Sequence, residues 1–131
     1  VASGGELSRF MLALKTVMAD KEEIKTLIFD EIDSGISGKT AWNVSQKMAL
    51  LGREHQLICI THLPQIAAMA DTHFLIEKIS SSESTVTEIK KLDEQESIRE
   101  IARLLGTSEI TDAVLANAME LKDMANHTKR Y

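Results

Sequence analysis

The sequence has 131 residues, of which 44% are hydrophobic and 27% are charged, and its formal net charge is −5. This balance predicts one modest globular domain and argues against a broad basic surface for nucleic acid. The single cysteine, Cys59, excludes an internal disulfide framework and fits a reducing, cytoplasmic compartment. No run of about 18 apolar residues is present, so we expect no membrane span. The chain begins at Val1 without an initiator methionine, and we expect it to be a piece of a longer protein.

The first half of the chain alternates predicted helices with short apolar runs. Apolar residues at helical spacing predict amphipathic helices, and the two continuous apolar runs favour strands of a parallel sheet that is buried on both faces. Cys59 lies in the second run, and we expect it to be buried. The predicted elements are a helix over Glu6–Asp20, a strand over Lys25–Asp30, a Ser/Gly turn over Asp33–Gly38, a helix over Thr40–Leu51 that stops at Gly52, a strand over Gln56–Thr61 and a short helix over Pro64–Ala70.

The second half predicts a hairpin and two helices. Two alternating segments favour a half-exposed hairpin, with the polar run 80–84 as its loop. Ser97 and Glu100 have the spacing of a capping box, although this helix could begin as early as Asp93. The polar tail after residue 126 is expected to be frayed. The predicted elements are strands over Thr72–Ile79 and Thr85–Leu92, a helix to Leu105 that stops at Gly106, and a helix from Glu109 to about Asn126.

Three acidic residues, Asp30, Glu31 and Asp33, follow the first predicted strand. The carboxyl ends of strands in open α/β sheets are where ligands bind. Adjacent ionised carboxylates repel each other, and a hydrated Mg²⁺ ion is a common solution. Beside Mg²⁺ and phosphate, the first acid of such a pair can hold the metal, and the second can orient and deprotonate an attacking water. An acidic turn without this function is the alternative that these residues leave open.

Two further segments could meet the same edge of the sheet. Ser3-Gly4-Gly5-Glu6 opens the first predicted helix, where free N–H groups and the helix dipole favour phosphate, although a Ser/Gly helix start is mostly just a cap. His62 follows the second strand, as Asp30 follows the first, and such a histidine is more often structural than catalytic. The other histidines lack partners at metal-ligand spacing, and we interpret them as surface or turn residues: His55, His73 and His127.

One phosphate-binding signal is misleading. Gly38-Lys39-Thr40 matches the end of a P-loop, but Asp33 stands where that loop needs its first glycine. A carboxylate there would face the phosphates, so we interpret the segment as a turn that leads into a helix. A nucleotide-binding lysine would then come from outside this chain.

In their order and spacing, these motifs together resemble those of the ATP-binding-cassette (ABC) ATPases. Glu6, in place of the glutamine of transporters, and the Ser-Gly turn after Asp33 favour the SMC-like branch of that superfamily. The run Thr61–Asp71 resembles the RecN family of bacterial DNA repair proteins. The matching segments are Ala2–Glu6 for the signature motif, Leu27–Glu31 for Walker B, Asp33–Gly38 for the D-loop and Ile60–His62 for the switch histidine.

The resemblance implies an α/β fold with a mostly parallel sheet flanked by helices, a hairpin at about 72–92 and two C-terminal helices at about 94–126. Residues 1–131 would form the C-terminal lobe of an ATPase head. The Walker A P-loop would lie on an N-terminal lobe, separated from this one by a long antiparallel coiled coil. Two such heads would sandwich ATP and Mg²⁺.

The resemblance also implies roles for single residues. Asp30 would hold Mg²⁺, Glu31 would be the general base, and His62 would contact the γ-phosphate or the attacking water. The remaining roles are at the interface between two heads. The signature residues Ser3, Gly4, Gly5 and Glu6 would contact the nucleotide of the opposite head, and the D-loop residues Asp33, Ser34 and Gly35 would work at the dimer interface.

The implied function is DNA double-strand break repair and recombination at the nucleoid, with DNA bound through the intact protein. ATP binding would drive head dimerisation, and hydrolysis would release it. The alternatives are an ABC transporter subunit, a helicase with an Asp-Glu-x-Asp box, and a lobe that acts only in interactions when isolated. Because the chain lacks Walker A, we expect it to be inactive as an ATPase by itself.

Overall fold

The computed structural model describes residues 1–18, 23–80, 84–106 and 109–130. The predicted α/β class is confirmed. The predicted helix end at Asp20 and most of the predicted hairpin loop lie outside the described residues. Within the described ranges, no helix is both long and apolar enough to cross a membrane. The elements are α1 Gly4–Met18, β1 Thr26–Phe29, α2 Gly38–Leu51, β2 Gln56–Cys59, α3 Pro64–Met69, β3 Phe74–Ser80, β4 Thr85–Lys91, α4 Glu94–Leu104 and α5 Asp112–Lys129.

Strands β1 and β2 pair in parallel, from Thr26 opposite Gln56 to Phe29 opposite Cys59. Beyond the last pair, the Ile60 N–H donates to the Phe29 carbonyl over 3.0 Å. Parallel strands end at the same edge of a sheet, so the residues that follow Phe29 and Cys59 become neighbours. The described strands form two separate two-stranded sheets, the parallel pair β1–β2 and the antiparallel pair β3–β4, so the predicted mostly parallel sheet is small and only partly parallel.

The predicted burial of this sheet on both faces is wrong. Phe29 is buried, but Ile28 on the opposite face of β1 is 68% exposed, and Ile58 beside it is also exposed. The reason is that side chains from α1, α2 and α3 pack with Phe29 on one face only. Cys59, at the end of β2, is half-buried rather than buried.

Helix α1 forms as predicted, but its apolar stripe does not face the core of this chain. Leu12 is its buried large side chain, whereas Phe10 is 64% exposed. Leu7, Leu14 and Val17 are exposed with it, at the spacing of one helix face.

Helix α3 belongs to two apolar clusters. Ile66 packs in the first cluster, and the three residues after it pack in the second. The six-residue α3 therefore connects the parallel strands to the C-terminal helices. The first cluster contains Leu12, Phe29, Ile32, Met48, Leu51 and Ile66, and the second contains Ala67, Ala68, Met69, Ile101, Ala102, Ala118 and Ala125.

The hairpin forms as predicted, with β3 and β4 antiparallel. Helix α4 begins at the earlier of the two predicted positions, because Asp93 and Glu96 form its capping box. Ser97 does not cap the helix, since it is buried and its hydroxyl lies 2.8 Å from Nδ1 of His73. Glu100 instead pairs with Arg103 in the next turn of the helix.

The predicted frayed tail is wrong up to Lys129, because α5 extends to that residue. The Lys129 Nζ donates to the Asp71 carboxylate over 2.9 Å and to the Ala70 carbonyl, and these bonds hold the last turn of α5 against the end of α3. Helix α5 begins at Asp112, later than predicted, because the Thr111 side chain caps it by accepting from the Val114 N–H.

His55, interpreted as a surface or turn residue, lies at a bend before β2, and only the surface alternative is wrong. Its ring is buried and donates from Nδ1 to the Ile24 carbonyl over 2.7 Å. His73 is half-buried, and that burial lowers the pKa of its ring.

Candidate active site

The chain turns sharply directly after β1. Glu31 has φ of 59°, and among the described residues it is the one non-glycine in the left-handed region. The Asp30 carboxylate accepts from the Glu31 N–H over 2.9 Å, and the Glu31 carbonyl accepts from the Ser34 N–H over 3.1 Å. Ile32 anchors the turn in the core with no exposed surface, while the side chains of Asp30 and Glu31 stay exposed. Such backbone strain in a bulky residue persists only where its surroundings hold it, and it concentrates at functional sites.

The start of α1 lies directly against this turn. A Cβ atom placed on Gly4 would collide with the Glu31 carboxylate oxygen, and one on Gly5 would lie 2.7 Å from the Ser34 carbonyl oxygen. Glycine at position 5 therefore permits a backbone approach that a larger residue would block, whereas at position 4 the obstacle is the end of the flexible Glu31 side chain. The predicted signature segment and the predicted Walker B acid are in contact within this one chain.

Two residues of α1 that sequence reasoning missed hold the turn in place. The Ser8 hydroxyl donates to the Asp30 carbonyl over 2.8 Å. The Arg9 guanidinium donates to the Ile32 carbonyl over 3.1 Å and to the Ser34 carbonyl over 2.7 Å. The available signal was their spacing of four residues from Gly4 and Gly5, which places each on the same helix face as its glycine.

Ser3 and Glu6, predicted to contact nucleotide in the opposite head, are paired with each other here. The Ser3 N–H donates to the Glu6 carboxylate over 2.8 Å, and the Glu6 N–H donates back to the Ser3 hydroxyl over 3.3 Å. This reciprocal pair is a capping box at the start of α1. The hydrogen bond from the Ser3 backbone is the largest cause that lowers the pKa of Glu6. Contact of these residues with a nucleotide stays a prediction.

Asp33 lies in the interior of the chain, where it joins the two strand ends. Its Oδ2 accepts from the Thr61 hydroxyl over 2.7 Å and from the His62 N–H over 2.8 Å, and it lies 3.0 Å from Nδ1 of the His62 ring. The Thr61 hydroxyl in turn accepts from the Leu63 N–H over 3.1 Å. Asp33 is buried, whereas the His62 side chain is 74% exposed. Sequence reasoning gave Thr61 no role of its own, because its contact with Asp33 spans 28 residues of chain.

An open cleft lies at this edge of the sheet. It brings together the predicted metal ligand, general base, D-loop residues and switch histidine, while Ser3 and Glu6 do not line it. Within the described ranges, no group of three His, Cys, Asp or Glu side chains is placed to hold a metal ion. The residues that line the cleft are Asp30, Glu31, Asp33, Ser34, Gly35, Ile60, Thr61 and His62.

Comparison with curated proteins finds several relatives that are named as the DNA repair protein RecN. The chain is 44% identical over 129 residues to the DNA repair protein RecN of Bacillus subtilis, a match that covers 98% of the chain. It is 48% identical over 121 residues to RecN of Vibrio cholerae and 49% identical over 121 residues to RecN of Rickettsia prowazekii, each covering 92% of the chain. The chain matches one segment of RecN.

The resemblance to RecN inferred from the run Thr61–Asp71 is thus confirmed, and it supports assignment to the C-terminal region of RecN. The chain spans about a fifth of these relatives, 22% of each RecN sequence named above. No protein-family model matches the chain.

Proposed function

We propose that this chain is the catalytic half of an ATPase head that serves DNA repair. Two lines of support converge on this proposal. The RecN relatives are named as DNA repair proteins. The cleft holds an acidic pair and a histidine, and a glycine-containing helix start lies against Glu31, which are the residue types that phosphoryl transfer to water needs.

One observation carries the proposal: Glu31 is held in a left-handed turn, with its carboxylate over Gly4, at the mouth of the cleft that His62 also lines. A general base must reach the water that it deprotonates, and an exposed carboxylate on a fixed turn can do so. In this proposal Glu31 takes the proton, and His62 contacts the γ-phosphate or the attacking water.

Asp30 fits a role at Mg²⁺. One of its carboxylate oxygens accepts from the Glu31 N–H, and the other has the hard, anionic character that Mg²⁺ prefers. Mg²⁺ at nucleotide sites is usually held through one or two carboxylates together with substrate phosphates, so a single acid at the strand end suffices. The bound ion would neutralise charge that develops on the phosphates.

The uncovered apolar surfaces support a partner lobe. The exposed face of the parallel pair carries Ile28, Ile58 and Ile60, and the α1 stripe adds Leu7 and Phe10. Contiguous exposed apolar surface marks interaction sites in soluble proteins. We propose that the N-terminal lobe with the P-loop packs on this surface, that a second head closes on the nucleotide, and that the intact protein acts on DNA at the cytoplasmic nucleoid.

The test is Glu31→Gln in the intact protein, with Glu54→Gln as the matched control on an exposed turn. Loss of the base should abolish ATP turnover while leaving ATP binding intact, so the variant should accumulate as an ATP-bound dimer in size-exclusion chromatography with light scattering. The control should hydrolyse ATP at the rate of the unmodified protein. Normal turnover by Glu31→Gln, with no extra dimer in ATP, would refute the assignment.

A further inference from the structure

In the part of the chain that the structure describes, the carboxylate of Asp33 links the turn after β1 to the residues after β2 through side-chain hydrogen bonds. Three groups contact a single oxygen, Oδ2: the Thr61 hydroxyl at 2.7 Å, the His62 N–H at 2.8 Å and the His62 ring Nδ1 at 3.0 Å. Asp33 is buried, so its hydrogen bonds to the Thr61 hydroxyl and the His62 N–H are shielded from competing water, whereas the His62 ring is exposed. These contacts of Oδ2 all lie within this one chain.

The same contacts bear on which nitrogen of the His62 ring carries the hydrogen. An ionised carboxylate can only accept, and Nδ1 lies 3.0 Å from Oδ2, where a nitrogen lone pair would be repelled, so the hydrogen is favoured on Nδ1. In the neutral ring, Nε2 is then an acceptor with a free lone pair. Because the side chain is 74% exposed, this nitrogen is available to a water molecule in the cleft. A carboxylate that holds a histidine in one tautomer and orientation is a familiar way to prepare that histidine for proton transfer.

We propose that Asp33 is a positioning residue that acts within its own lobe: it holds His62 as the Nδ1–H tautomer and directs Nε2 into the cleft. Thr61 supports it by orienting the carboxylate. The catalytic meaning of the tautomer rests on the proposed ATPase function, but the tautomer itself does not. This role differs from the one implied by resemblance, in which Asp33 works across the dimer interface.

The experiment is a long-range ¹H–¹⁵N correlation spectrum of the labelled 131-residue chain, without nucleotide, at about pH 8.5, where an ordinary histidine ring is neutral. The unmodified chain should show His62 with a protonated Nδ1 and an unprotonated Nε2. In Asp33→Ala, His62 should change to the Nε2–H tautomer that histidine prefers in water. In Asp33→Asn, which keeps an oxygen acceptor, the Nδ1–H tautomer should be retained.

His55 is the internal reference for this experiment. Its Nδ1 donates to the Ile24 carbonyl, so it should stay in the Nδ1–H form in every folded variant. An Nε2–H tautomer for His62 in the unmodified chain, or no change in Asp33→Ala while His55 is unaltered, would overturn the proposal. If Asp33→Ala unfolds, His55 will report it, and the tautomer of the unmodified chain then decides alone. Because no nucleotide is used, failure of the proposed ATPase function would leave these results unchanged.

Discussion

Cys59 illustrates how neighbours set the chemistry of one residue at this site. Its thiol lies at the end of β2 beside the acidic turn, where burial, followed by the charges of Asp33 and Asp30, raises the pKa of the thiol to about 12. A thiol reacts with alkylating reagents as the thiolate, so a raised pKa slows the reaction at any pH below it. At pH 8 we expect iodoacetamide to modify the folded chain more slowly than the urea-unfolded chain, by about 10²- to 10³-fold.

Mass spectrometry of timed samples measures both rates. Cys59 is the single cysteine of the chain, so every alkylated product reports on this site. Asp30→Asn should speed the folded reaction only slightly, because burial and Asp33 are the larger causes. Equal rates in the folded and unfolded chains would show that the thiol is neither shielded nor influenced by the acids.

At the scale of elements, the contact between α1 and the acidic turn depends on two adjacent glycines that differ in what they touch. A Cβ on Gly4 would meet the far end of the flexible Glu31 side chain, whereas a Cβ on Gly5 would meet the backbone carbonyl and Cβ of Ser34 at 2.7 and 2.8 Å. Alanine gains up to about 1 kcal/mol over glycine in a helix. Overpacking against a backbone that cannot move aside costs about 1–3 kcal/mol.

We therefore expect Gly4→Ala to leave the free energy of unfolding unchanged or slightly higher, and Gly5→Ala to lower it by about 1–2 kcal/mol. Urea denaturation of the two variants, each compared with the unmodified chain, measures the difference. Each variant serves as the matched control for the other. Greater destabilisation by Gly4→Ala than by Gly5→Ala would show that Glu31, and not the Ser34 backbone, is the rigid neighbour.

The same elements show what the sequence could predict. Strand ends, helix starts and glycine positions have local signatures, and these were enough to bring Asp30, Glu31 and His62 to one edge of a sheet. The contacts of Arg9 with the carbonyls of residues 32 and 34, and of Asp33 with Thr61 and His62, join segments more than 20 residues apart and have no local signature. Burial of the apolar faces was also mispredicted, because periodicity identifies an apolar face without showing what covers it.

In the molecule as a whole, the short helix α3 connects the candidate site to the C-terminal helices. It begins two residues after His62, and its residues pack in both apolar clusters. From α5, the Lys122 ammonium donates to the carbonyls of Ala68 and Ala70 at 3.0 and 2.9 Å. Burial of the Lys122 side chain lowers the pKa of this ammonium group. A substitution that displaces α3 should therefore destabilise both the candidate site and the packing of the C-terminal helices.

Ala68→Leu tests this connection. Ala68 has no exposed surface, so the larger side chain should overpack the second cluster and lower the free energy of unfolding by about 1–3 kcal/mol. Two probes can follow unfolding in urea: fluorescence of Trp42, which packs against the second cluster, and alkylation of Cys59, which packs against the first. We expect both transitions to move to lower urea by the same amount, since coincident probes indicate one cooperative unit.

Ala116→Leu, at an exposed position on α5, should leave both transitions in place. A shift of the Trp42 transition without a shift in Cys59 exposure would mean that the two clusters unfold independently, and that α3 does not couple the site to the C-terminal helices.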